Sequence, residues 1–193
     1  MSYRENFIDE IVSRSEGDTW KEAVREWKVV GCVEDHTRSA RCVCGKERLL
    51  YVYEIVNVCT GESVPNIGSE CIKKFGREEL DGEAKCWRQV FKLLDAAIEA
   101  GDLREVPLAP PYYSRRLLEF FFERGVFKPS RWNGGRGYFD FEFLLDMFNA
   151  REWSDAQERK IRAVVRAQVR PFLAAVWRRR KAMGESLGER LRR

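Results

Sequence analysis

Four of the six cysteines fall within residues 42–76, "CVCGKERLLYVYEIVNVCTGESVPNIGSECIKKFG". Cys42 and Cys44 are separated by one residue and followed by Gly45, which supplies the positive φ that a tight metal-binding turn needs. Cys59 falls in a Thr-Gly turn, and Cys71 falls in the first turn of a short helical segment, where free N–H groups favour a thiolate. Four thiolates on a turn, a hairpin and a helix start can surround one tetrahedral Zn²⁺, so Cys42, Cys44, Cys59 and Cys71 are the expected ligands. Four rivals compete, of which a Cys-x-Cys redox pair would leave Cys59 and Cys71 unexplained. A disulfide framework is not expected, because "MSYRENFIDEIV" has charges where a signal peptide needs an apolar run. Iron–sulfur ligation uses the same four thiolates at other spacings, and scattered core cysteines need no metal at all. Cys32 and His36, the only histidine, are an alternative source of the ligand otherwise assigned to Cys59. Cys86, beside Trp87 in a helical stretch, reads as a buried apolar thiol.

The second group of residues is basic and aromatic. Residues 151–193 carry 13 Arg and Lys against 5 Asp and Glu, a net +8, whereas residues 1–150 are mildly acidic at −4. Arg159, Arg162, Arg166 and Arg170 recur at helical spacing, and Arg178, Arg179, Arg180 and Lys181 follow as a cluster. Such a face suits phosphates, and an ordinary solvated face is its bland counterpart. The loop "RWNGGRGYFDFEF" offers Arg131, Trp132, Arg136 and Tyr138 for stacking on bases. Arg136 to Phe143 approaches an RNA-recognition signature but has Phe139 where Gly or Ala is required. The alternative is a helix–helix loop whose aromatics plug the core. A catalytic site is not expected: with one His and no Gly-x-Ser-x-Gly, phosphate-loop or kinase signature, nothing singles out an acid–base pair.

The elements that must position these groups follow from periodicity. A short amphipathic helix carries Phe7, Ile8, Ile11 and Val12, and Thr19 with Glu22 forms a capping box ahead of Trp20. "KVVGCVED" reads as a strand, "RLLYVYEIVNV" alternates as a second, and "SVPNIG" returns as a strand that Pro65 confines to an edge or bulge. Ser69 is the expected cap of "ECIKKF". Residues 83–100 are an expected helix with Trp87, Val90, Phe91, Leu94 and Ile98 on one stripe. Three prolines in 102–112 mark a linker, and beyond it Ser114, Gly125 and a Ser154/Gln157 capping box punctuate helices, the last kinked at Pro171. The fold class is therefore α+β, mostly helical: residues 1–101 hold N-terminal helices and a finger (core 27–77), 102–112 connect, and 113–193 form a helical domain.

"CVCG", the hairpin "I-x-N-x-C-T-G" and "IGSECIKKFG" together resemble a small zinc-finger motif that recurs in uncharacterised phage, prophage and bacterial proteins. The order knuckle, hairpin, helix is similar to the treble-clef zinc finger, from which it departs in a one-residue knuckle spacer and a single ligand on the helix. The resemblance covers residues 27–77 and extends loosely into the helices beyond. It implies a Zn²⁺ cofactor and no particular activity. The expected function is a small cytoplasmic zinc-finger protein that binds DNA or RNA through its basic C-terminal face. The alternative is a phage- or mobile-element-type adaptor or inhibitor of a host protein complex. No membrane partner is expected, because no apolar run is long enough to span one.

Overall fold

A computed structural model describes residues 2–190, with side chains for residues 2–182. The fold is α+β, and its two compact units are residues 1–85 with 178–193, and residues 86–177.

In the first unit, α1 (Tyr3–Val12) and α2 (Trp20–Ala23) both open with complete capping boxes, Ser2/Glu5 and Thr19/Glu22. Strands β1 (Trp27–Glu34), β2 (Tyr51–Asn57) and β3 (Ser63–Gly68) form an antiparallel sheet in the order β1-β2-β3. That order makes β3 an edge, where Pro65 removes no central ladder bond. Helices α3 (Ser69–Lys74) and the start of α4 (Glu78–Glu99) follow. The core is aromatic. Phe7, Trp20 and Phe75 meet edge-on or tilted at ring-centre distances of 5.5 to 5.9 Å, over buried Ile11, Trp27, Ile67 and Ile72. One end of the hairpin is fixed by Glu26, which accepts from the backbone N–H groups of Glu16 and Gly17 and from Asn57 Nδ2 at 2.6 Å. The bond from Asn57, ahead of the opposing effect of burial, lowers the Glu26 pKa. The cap of α3 differs from expectation: Gly68 occupies the N-cap with no side-chain bond, and Ser69 is already helical.

In the second unit, Ser114 caps α5 (Arg115–Glu123) by accepting from the N–H of Leu117. Then come α6 (Gly137–Asn149), α7 (Asp155–Val164) behind its Ser154/Gln157 box, and α8 (Arg170–Arg190). A π turn, Val165–Val169, joins α7 to α8 just ahead of Pro171. Proline has no N–H for the ladder and its ring crowds the carbonyl four residues back, so the irregularity falls where the kink is expected. Trp87, Phe91, Phe120, Phe121 and Phe172 pack as stacked and edge-on rings in this unit's core.

Two expectations change here. The proline-rich stretch is not an exposed connector: Leu103, Val106, Leu108 and Tyr113 are buried within the second unit, and the division between the units falls inside α4. Ile98, placed on the buried stripe by its spacing, is 53% exposed because it lies in the last turns of the helix.

Two glycines test the packing in opposite senses. A Cβ at Gly137 would stand 2.0 Å from the Phe127 carbonyl oxygen, a backbone atom that cannot yield without moving the loop. Gly137→Ala should cost about 3 kcal/mol in urea denaturation. Gly82, inside α4 with nothing within 4 Å of its Cβ position, should gain about 1 kcal/mol as Gly82→Ala. Equal stabilities for the two variants would contradict this packing.

Candidate metal centre and basic aromatic face

The knuckle is built by backbone bonds. The N–H of Gly45 donates to the Cys42 carbonyl at 2.8 Å, and the N–H of Cys42 donates to the Lys46 carbonyl at 2.7 Å. Gly45 has φ of 99°, a conformation that side-chain-bearing residues avoid. The N–H of Val43 bonds the Asn66 carbonyl, tying the knuckle to β3. The approach to it is fixed by Asp35, whose carboxylate accepts from the backbone N–H groups of Thr37, Ser39 and Ala40 and from both hydroxyls. Burial raises the Asp35 pKa, but these bonds outweigh it and leave it lowered. Asp-x-Thr-x-Ser is a local turn signature that the sequence reading passed over.

The result is a trio. The sulfurs of Cys42, Cys44 and Cys71 lie within 4.8 Å of one another, and all three residues are buried. Cys42 and Cys71 sulfurs are 3.6 Å apart, close to the ~3.8 Å edge of a tetrahedron with Zn–S bonds of about 2.3 Å. The donor set therefore fits a thiophilic metal ion. Cys71 comes from the first turn of α3, and the N–H of Gly68 donates to Cys42 Sγ at 3.3 Å. Lys74 Nζ stands 3.6 Å from Cys71 Sγ, an electrostatic partner that the sequence reading missed although it lies one turn along the same helix. The bond from the Cys71 thiol, helped by the Gly68 N–H and opposed by burial, holds the Cys42 thiol down to about 5. Donating that bond pushes the Cys71 thiol up, and burial adds to the rise.

Cys59 is not part of the trio. It is exposed in the β2–β3 turn, its N–H bonded to Asn57 Oδ1 at 2.8 Å. The trio gathers where Val52 pairs with Gly68, at the other end of the hairpin. Local desolvation, with the Glu16 and Glu26 carboxylates, raises the Cys59 pKa. Nor do Cys32 and His36 join the trio. Cys32 is buried in β1, and His36 Nε2 lies 3.2 Å from Glu34 Oε2.

In the second unit the glycine-rich loop is anchored from beneath. Asn133 Nδ2 donates to the Lys128 carbonyl and to Asp140 Oδ2 at 2.8 Å. Gln168 Nε2 donates to the same two acceptors, while its Oε1 accepts from the N–H of Lys128. This buried knot leaves the aromatics outside. Trp132 is 83% exposed, and Tyr138, Phe139 and Phe122 are close to half exposed, so these rings do not plug the core. Cations lie against several rings, Arg131 over Trp132 at 4.4 Å, Arg136 over Phe139 at 5.8 Å and Lys160 over Phe143 at 4.0 Å.

The arginines of the C-terminal segment divide. Arg159, Arg162, Arg166 and Arg170 are exposed, opposite buried Ile161, Val164, Val165 and Val169. Arg162 is paired with Glu158 at 2.9 Å, and Arg170 lies close enough to Asp102 to help hold that carboxylate near 2, after the larger effect of Arg104. Arg178, Arg179 and Arg180 belong to the first unit. Arg180 is mostly covered and pairs with the buried Glu34 carboxylate at 3.5 Å, with His36 against it. Its charge is therefore committed internally, a correction to its expected role at phosphates. Arg179 is exposed and lies beside Gly31.

No family model, curated protein or solved structure matches the chain. Among the described residues no helix is long and apolar enough to cross a membrane.

The burial pattern orders thiol reactivity. A bulky maleimide should label Cys59 first in the native protein. Cys42, Cys44 and Cys71 should label only after unfolding in denaturant, which mass mapping of labelled peptides would detect. Labelling of the trio at the same rate as Cys59 in the native protein would contradict this geometry.

Proposed function

We propose that the chain is a zinc-held β module carrying a helical unit that binds single-stranded nucleic acid. In this reading Cys42, Cys44 and Cys71 hold Zn²⁺ as a structural cross-link between the knuckle and α3, in a treble-clef-like order. The ion would replace thiol protons with one charge that all three sulfurs share, and would supply folding energy to a sheet of only three strands. Zinc is favoured because three buried thiolates suit tetrahedral sulfur ligation, whereas the common cubane and rhombic iron–sulfur clusters take four protein ligands.

The observation that carries the nucleic-acid reading is the exposed ring-and-cation array of the second unit. Trp132, Tyr138 and Phe139 offer faces to unpaired bases, each stack worth about 1–3 kcal/mol. Arg131, Arg136, Arg159, Lys160, Arg162 and Arg166 offer charge to phosphates. A duplex keeps its base faces covered, so the rings favour a single strand. One observation supports a protein-binding adaptor as the second reading. A groove of about 320 Å³ in the same unit is lined by Leu94, Ile98, Leu103, Leu173 and Trp177, with Ile98 and Trp177 prominently exposed.

Elemental analysis of the purified chain should give one zinc per molecule, lost in Cys42→Ser and Cys71→Ser and kept in Cys59→Ser. Retention of stoichiometric zinc by the Cys42→Ser/Cys71→Ser double variant would remove the metal assignment. For nucleic acid, binding of a 20-nucleotide oligo-dT strand and of a duplex should be compared across a salt series. Trp132→Ala should weaken single-strand binding by about tenfold with the salt slope unchanged, because a ring contributes stacking and no charge. Replacing Arg131, Arg136 and Arg166 by Gln should flatten the slope by about two, at ~0.7 per phosphate contact. No binding at low salt would hand the function to the protein-partner reading.

A further inference from the structure

One side of the buried trio faces a cavity. Cys42, Cys44 and Cys71 all line one cavity of about 320 Å³, together with Arg38, Lys46 and Arg48. Among the described residues no fourth His, Cys, Asp or Glu donor joins the three sulfurs. Cys59, the fourth ligand expected from the sequence, stands in the turn at the other end of the hairpin, and Cys32, buried in β1, does not join the three sulfurs. The one carboxylate lining the cavity, Glu70, is held by Lys73 Nζ at 2.8 Å and is mostly exposed. A tetrahedral ion on three protein sulfurs has one position left for a ligand from outside, the arrangement that separates exchangeable zinc sites from closed structural ones.

The surroundings specify the chemistry of that ligand. A borderline-soft ion on three thiolates favours sulfur as a further donor. Three thiolates and a divalent ion carry a formal −1, and Lys74 beside Cys71 already compensates it. Arg38 and Arg48 then remain as positive charge around the cavity with no ion pair among the described residues, while Lys46 shares its charge with the Glu70 carboxylate. We propose that this cavity receives an external anionic thiol, a small molecule bearing a carboxylate, whose sulfur completes the metal site while Arg38 and Arg48 hold the carboxylate. On binding, the thiol proton passes to solvent as the sulfur–metal bond forms, and no oxidant or reductant is needed.

This inference rests on the metal reading of the trio, and cobalt substitution separates the two. The full-length chain is loaded with Co²⁺ and titrated with 3-mercaptopropionate or with uncharged 2-mercaptoethanol, following the visible d–d and sulfur-to-cobalt charge-transfer bands. The anionic thiol should shift the bands and bind about tenfold more tightly than the neutral one at low ionic strength. That advantage should shrink in Arg38→Gln/Arg48→Gln, which leaves all three ligands in place, and Cys59→Ser should leave the starting spectrum unchanged. If no cobalt–thiolate bands form at all, the metal reading fails and this inference with it. If bands form but neither thiol moves them, or if Cys59→Ser alters them, the site is closed by the protein and only this inference is overturned. Equal affinity for the two thiols would refute the anionic class of ligand.

Discussion

Crowding of sulfur at one point governs the first unit. Three cysteines cannot all ionise when their sulfurs lie within 4.8 Å of one another. Two unit charges ~4 Å apart repel by about 4 kcal/mol even at an effective dielectric of 20. The metal-free trio must therefore keep protons, with Cys42 stabilised as the acceptor of the Cys71 thiol and the Gly68 N–H. A divalent cation removes that conflict, and nearly every local feature serves the same geometry. Gly45 closes the knuckle, Asp35 holds the approach to it, Asn66 ties it to β3, and α3 begins directly at the end of that strand. Gly68 is part of this arrangement, because a Cβ there would press within 2.9 Å of Leu49 beside Cys42.

The second unit solves a different problem by polar burial. Asn133, Asp140 and Gln168 are buried, and together they satisfy both the N–H and the carbonyl of Lys128. A network in which the members are paired fixes one loop conformation, whereas the same groups left unpaired would cost several kcal/mol. Rigidity at Gly134 and Gly135 thus comes from what lies beneath them. The same network leaves Trp132 in solvent on the outer side of the loop.

Much of this was legible before any coordinates. Capping boxes at Thr19/Glu22 and Ser154/Gln157, the edge position of Pro65, and the irregularity at Pro171 all follow from local chemistry that tertiary contacts do not override. Cys42, Cys44 and Cys71 also come together as their spacing suggested, since a knuckle and a helix start are both short-range features. What failed was long-range. Cys59 looked adjacent to the trio in sequence, but a hairpin places its turn at the opposite end from the residues that enter and leave it. The segment 102–112 looked like a linker because prolines break helices, yet its Leu and Val residues have a core to enter. Arg180 read as a phosphate contact because one sequence cannot reveal that Glu34, far upstream, requires a cation.

The sheet itself has a further property, which concerns concentrated protein. Both outer strands are irregular where a new strand would have to add. The β1 ladder shifts between Val29 and Gly31, and the β3 ladder shifts opposite Tyr53 and Ile55, beside Pro65 and the left-handed Asn66. Edge-to-edge growth needs a straight, evenly spaced row of donors and acceptors, and bulges and proline deny it. A three-stranded sheet with this many valines and isoleucines would otherwise be a template for aggregation during synthesis. Here the bulges on β1 and β3, with Pro65, leave neither outer strand a straight row of donors and acceptors for another sheet to extend.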